Sequence, residues 1–150
     1  MTGSQVDPAT LADHLAIRQL RAAYSHAVDD CAWDEWVGLF TPDATCELGF
    51  DTLAGIDEIE RYARETLAER FAESYHTAQM PHVTVDGDAA TGRWYILVYY
   101  ELPDGATGRL LGRYLDSYRR TPEGWKFDHI DYDVRRDTGP LMDEAGGERQ

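Results

Sequence analysis

The sequence predicts an α+β fold, with helices first and a long-stranded sheet second, and the period of its apolar residues carries that expectation. Through residues 11–71 the apolar positions recur at helical spacing, and from residue 74 onward they recur at every second residue. Turns rich in Gly, Pro and Asp cut the second half into runs of strand length. The expected architecture is a curved mixed, mostly antiparallel sheet wrapped on three N-terminal helices.

In the first helix Ala16, Ile17, Leu20, Tyr24, Ala27, Val28 and Cys31 form one stripe, so a helix is expected from about Pro8 to Val28, with Pro8 in its first turn. Leu11 and Leu15 fall on another side, which predicts cover on two faces. The helix ends on two adjacent carboxylates, Asp29 and Asp30, where the macrodipole favours cations. Asp30 has a structural explanation as the cap of a short second helix in CAWDEWVGLF, whereas Asp29 has none. A third helix follows in GIDEIERYARETLAERF, with Ile56, Ile59, Tyr62, Ala63, Leu67 and Phe71 at helical spacing and Asp57 in the first turn. One or two short strands are expected at residues 45–50 and ahead of Gly55.

Residues 74–85, 89–102, 108–120 and 124–135 read as four strands of an antiparallel meander. Asp86-Gly87-Asp88, Pro103-Asp104-Gly105 and Thr121-Pro122-Glu123-Gly124 separate them. Alternation puts Trp94, Ile96, Val98 and Tyr100 on one face of the second strand and Tyr95, Leu97 and Tyr99 on the other. Both faces are apolar; one meets the helices, and the other is expected to meet a second copy, giving a homodimer or higher homo-oligomer. Residues 1–136 are expected to form a single domain and residues 137–150 a polar, Gly-rich, flexible tail.

The net charge of -14, from 28 acidic and 14 basic residues, repels phosphate backbones and anionic lipid, so neither nucleic acid nor membrane is an expected partner. Lys126 is the sole lysine; acidic excess with scarce Lys suits a salt-rich cytoplasm, while a high-GC genome would explain the lysine count alone. No signal-like opening or membrane-length apolar run is present, and the expected compartment is the cytoplasm. Cys31 and Cys46 read as small buried hydrophobes. His76 and His82 stand six apart on a strand interrupted by Pro81, with no third ligand at a recognisable spacing, so no metal is expected. His14, His26 and His129 read as surface residues.

Tyr24-x4-Asp29, Trp33-Asp34, LFTPDA at 39–44, a histidine entering the first long strand, VDGDAATGRWY and GWKFDHIDYDVR together resemble the SnoaL-like branch of the nuclear-transport-factor-two-like superfamily. The resemblance spans residues 8–136 and implies a cone with a deep pocket between the first helix and the sheet. Scytalone dehydratase and bile-acid dehydratase are the similar functional patterns. The resemblance implies that Asp29 and His76 form a proton-transfer dyad, that Tyr24 polarises a substrate carbonyl, and that no cofactor is needed. It departs from scytalone dehydratase at Val28, Leu48 and Tyr100. Trp94, Tyr100 and Tyr114 are the expected substrate-binding residues for a small hydrophobic or cyclic ligand. Three functions stay open: a lyase or isomerase acting on a cyclic carbonyl compound, a non-catalytic assembly module similar to the small subunit of ring-hydroxylating dioxygenases, and a polyketide cyclase or hydrolase.

Overall fold

A computed structural model describes residues 6–49 and 51–146. Asp7 opens the first helical segment by accepting a hydrogen bond from the Ala9 N–H (2.9 Å), and a 3₁₀ turn at Pro8–Thr10 leads into α1, Leu11–Asp29. The helix buries Ile17, Leu20, Tyr24, Ala27 and Val28 against the sheet, as their spacing requires. Leu11 and Leu15 correct the expectation of cover on two faces, being 51% and 56% exposed. Cys31 is exposed, not buried, and its left-handed backbone (φ +55°) turns the chain away from α1. That turn separates Asp30 from α2, Trp33–Val37, whose N-cap is Ala32 without a side-chain bond, so Asp30 does not cap it. Cys46 is buried, and burial pushes its thiol up to about 12.

The third helical stretch is one run in sequence but three pieces in space: α3, Ile56–Tyr62, a π-helical turn at Ala63–Leu67, and α4, Ala68–Arg70. A π turn inserted in a helix often marks a functional site.

Six strands follow the order β2-β1-β6-β5-β4-β3. They are β1 (Phe40–Glu47), β2 (Thr52–Ala54), β3 (Glu73–Asp86), β4 (Ala89–Glu101), β5 (Thr107–Thr121) and β6 (Gly124–Asp137). The last four form the expected antiparallel meander, and β1 joins β6 in parallel, which makes the sheet mixed. Trp94, Ile96, Val98 and Tyr100 are buried on the inner face, and Tyr75, Tyr95, Leu111 and Leu115 are exposed on the outer one. The β3 ladder breaks between Gln79 and His82, where Met80 takes φ +55° ahead of Pro81.

A second irregularity, between Leu111 and Gly112, brings β6 close enough that a Cβ on Gly112 would lie 2.2 Å from the Asp133 carbonyl oxygen. Because that neighbour is backbone, Gly112→Ala should destabilise the fold by about 2 kcal/mol or more, read as a lowered urea midpoint at unchanged slope.

The described part of the expected flexible tail is folded. Leu141 and Met142 are buried at the start of α5, Leu141–Gly146. The Tyr100 hydroxyl donates to Asp137 (2.7 Å) and accepts the Leu141 N–H (3.1 Å). Two adjacent apolar residues in an otherwise polar segment were enough to anchor it. Residues 147–150 lie outside the described residues.

Candidate functional site

The unfavourable carboxylate at the end of α1 has its explanation in the sheet edge. β3 is an outermost strand, so N–H groups on its free side have no ladder partner. Asp29 accepts the His76 backbone N–H at 3.0 Å, the Ser74 hydroxyl at 3.0 Å and the His76 ring at Nδ1, 2.7 Å away. A carboxylate only accepts, so Nδ1 carries the hydrogen, and in the neutral ring Nε2 keeps its lone pair. The His76 side chain is 9% exposed, with the Phe71 ring edge-on at 6.2 Å.

His76 lines a cavity of about 30 Å³ between α1, the π turn and the inner sheet face. Tyr24 and Tyr114 line it too, their rings 5.8 Å apart, and Leu48, Leu67, Leu110 and Phe71 supply apolar walls. Burial pushes both phenols above their usual range, and the nearby Arg21 charge opposes that shift. Both are therefore protonated donors at neutral pH.

Arg21 is fully buried behind these rings, its guanidinium carbon 3.3 Å from the Tyr114 centroid and 4.5 Å from that of Tyr24. It pairs with buried Asp116 through Nη2 at 2.8 Å and Nε at 3.2 Å. Tyr118 donates to Asp116 (2.7 Å), and the Trp94 indole N–H donates to Tyr118 (2.9 Å).

Of the residues expected from sequence, Asp29, His76, Tyr24 and Tyr114 are brought together. Trp94 and Tyr100 are not among the lining residues. Both stand on the correct face, but Trp94 is tied to the Arg21 network and the Tyr100 hydroxyl is taken by Asp137 and Leu141. Sequence reasoning missed Tyr62, Arg70 and Tyr132 in the wall. Tyr132 faces Tyr114 across the β5–β6 ladder, their rings 5.0 Å apart. Inward alternation in FDHIDYDV could have signalled it, had the pairing register been known. Arg70 donates to the Tyr62 hydroxyl at 2.9 Å and to Asp51 at 3.4 Å. Among the described residues no three His, Cys, Asp or Glu side chains converge to hold a metal ion. His82 lies beyond the β3 bulge from His76.

A curved, open sheet wrapped on helices, with a His–Asp pair beside a small cavity, defines a fold of the cone class. The family model for the SnoaL-like domain matches residues 9–131, and the chain belongs to that family. A candidate aromatic ring hydroxylase from Novosphingobium aromaticivorans is similar at 31% identity and TM-score 0.83, over 94% of this chain and 99% of that one. A type 2 hexachlorocyclohexane dehydrochlorinase, LinA, is similar in fold at 21% identity and TM-score 0.80, over 86% and 89% of the two chains. A candidate scytalone dehydratase from Novosphingobium aromaticivorans gives 21% identity and TM-score 0.80, over 86% and 88%.

Proposed function

We propose that this protein is a cofactor-independent lyase or isomerase acting on a small cyclic carbonyl compound. The observation that carries the reading is the 2.7 Å contact between Asp29 and His76 Nδ1 at the wall of a small cavity. In the proposed step His76 Nε2 takes a proton from the carbon next to the carbonyl, and the electron pair moves onto the carbonyl oxygen. Tyr24, with Tyr114 beside it, hydrogen-bonds the developing enolate. The imidazolium, facing Asp29, then returns its proton to a departing hydroxyl or to another carbon of the ring. Dehydratase and dehydrochlorinase, the reactions named for two of the similar folds, are both eliminations, which supports this chemistry.

The cavity holds about 30 Å³, close to the volume of one water, whereas a benzene-sized ligand needs roughly 150 Å³. Binding therefore requires the cavity to widen, and Leu67 and Phe71, in the irregular last turns of the α3–α4 segment, are the proposed moving wall. The same tightness favours a second reading, an assembly module whose pocket stays filled. Deuterium exchange at the carbon next to the carbonyl of 1-tetralone, followed by NMR, separates the two. Exchange is expected with the wild-type protein and not with His76→Ala. Equal background rates in both would sink the enzyme reading.

The proposed assembly is a homodimer or higher oligomer through Tyr75, Tyr95, Leu111 and Leu115 on the outer face. Leu111→Asp should shift the sedimentation coefficient to that of a monomer; an unchanged coefficient would place the contact elsewhere.

A further inference from the structure

Three buried side-chain atoms among the described residues lack a hydrogen-bond partner: Arg21 Nη1, Trp36 Nε1 and the Tyr132 hydroxyl. Only Tyr132 also lines the cavity that holds His76. A buried hydroxyl without a partner is costly to keep and needs an occupant of the cavity to satisfy it. His76 stands on β3 and Tyr132 on β6, with β4 and β5 between them; the β6 residue in register with His76, through Val98 and Leu110, is Asp137, so Tyr132 is also displaced five residues along its strand. Both side chains nevertheless reach the same cavity.

We infer that Tyr132 is a specificity-determining residue that donates a hydrogen bond to a second, uncharged oxygen on the substrate, at the ring edge opposite the carbonyl acted on by His76. The inference rests on the proton-transfer reading of the same cavity. It names the substrate class more closely, as a neutral cyclic ketone carrying a distal hydroxyl or second carbonyl.

Charge disfavours the anionic alternative. Among the described residues of the wall, Arg70 is the one formal cation apart from a protonated His76, and it donates to Asp51 and to Tyr62. Tyr132 also borders an outer cleft of about 440 Å³ whose rim carries Glu47, Asp51, Asp131 and Asp133. Asp51 and Asp133 face Arg70 and Arg135, but Glu47 and Asp131 add further negative charge at that end, which an anion meets and a neutral oxygen does not.

The test is a ligand-observed NMR titration of wild type and Tyr132→Phe with three probes: 1-tetralone, 6-hydroxy-1-tetralone and 1-tetralone-6-carboxylate. In wild type the hydroxylated ketone should bind roughly three- to tenfold more tightly than 1-tetralone, the range of one neutral hydrogen bond. The carboxylate should bind more weakly than the hydroxylated compound. In Tyr132→Phe the gain should vanish while 1-tetralone binds as before. The melting temperature should stay level or rise, because the hydroxyl removed has no partner in the protein.

Equal wild-type affinities for the first two probes would mean that an ordered water alone satisfies Tyr132 and would overturn the inference. So would survival of the gain in the variant, a fall in melting temperature, tighter binding of the carboxylate, or failure of both neutral ketones to bind. Deuterium exchange on the same samples keeps the two proposals apart. The affinity gain without exchange removes the proton-transfer chemistry and leaves Tyr132 as a binding residue. Exchange without the gain removes the role of Tyr132 alone.

Discussion

Asp29→Asn should lower the rate of deuterium exchange on 1-tetralone by about 10²–10⁴-fold while costing only a few degrees in melting temperature. The carboxylate offers two acceptor oxygens, one to Nδ1 of His76 and to Ser74, the other to the His76 backbone N–H. An amide offers one oxygen and one NH₂. If the NH₂ faces the ring, Nδ1 must accept, the hydrogen moves to Nε2, and no lone pair is left facing the cavity. If the oxygen faces the ring instead, the NH₂ opposes the backbone N–H and the helix end is pushed off β3. Either outcome removes a positioned base. Ser74→Ala provides the control, since it deletes one of the hydrogen bonds to Asp29 without touching the tautomer. It should cost about 1 kcal/mol of stability and leave most of the exchange rate. If Asp29→Asn lost stability and exchange in equal measure, the pair would be structural.

The largest stability effect is expected at Arg21 and Asp116. Each is fully buried, and removing either leaves an uncompensated charge in a wall of aromatic rings, so Arg21→Met or Asp116→Leu alone should cost about 3–5 kcal/mol. The double replacement Arg21→Met with Asp116→Leu should recover most of that loss, because an apolar pair of similar volume often replaces a buried ion pair at little cost. Urea unfolding of the two single variants and the double variant forms the cycle that measures it. Additive losses would show that the two charges do not depend on one another. The double variant also removes the cation behind Tyr114 and Tyr24, so its exchange rate reports how far that charge strengthens the two phenols as donors.

Periodicity made the strands and the face assignment of β4 legible, because alternation is a property of the chain itself. Asp29 drew notice as a charge at the wrong end of a helix, and its pairing with His76 came from resemblance to a family. Neither source could show that the free edge of β3 supplies two further donors to it. Trp94 and Tyr100 illustrate the limit of alternation: it gives the face of a strand, not the position across a curved sheet, and both residues spend their polar groups elsewhere. Tyr132 required the β5–β6 register, which two irregularities shift. Arg21 lay on the apolar stripe of α1, four residues after Ile17 and three before Tyr24, and a charge at that spacing was itself the signal of a buried partner.

The parallel pairing of β1 with β6 has a consequence for how the chain is made. Thr45 meets His129 at a sequence separation of 84, and Arg21 meets Asp116 at a separation of 95. The apolar stripe of α1 meets Trp36, Phe40 and β3 early, but Arg21 waits for Asp116, encoded in the last third of the chain. Long-range closure of this kind slows folding and leaves sticky surface uncovered meanwhile. A chain truncated before Asp116 should therefore hold Arg21 without its partner, and its limited proteolysis should show an open N-terminal half.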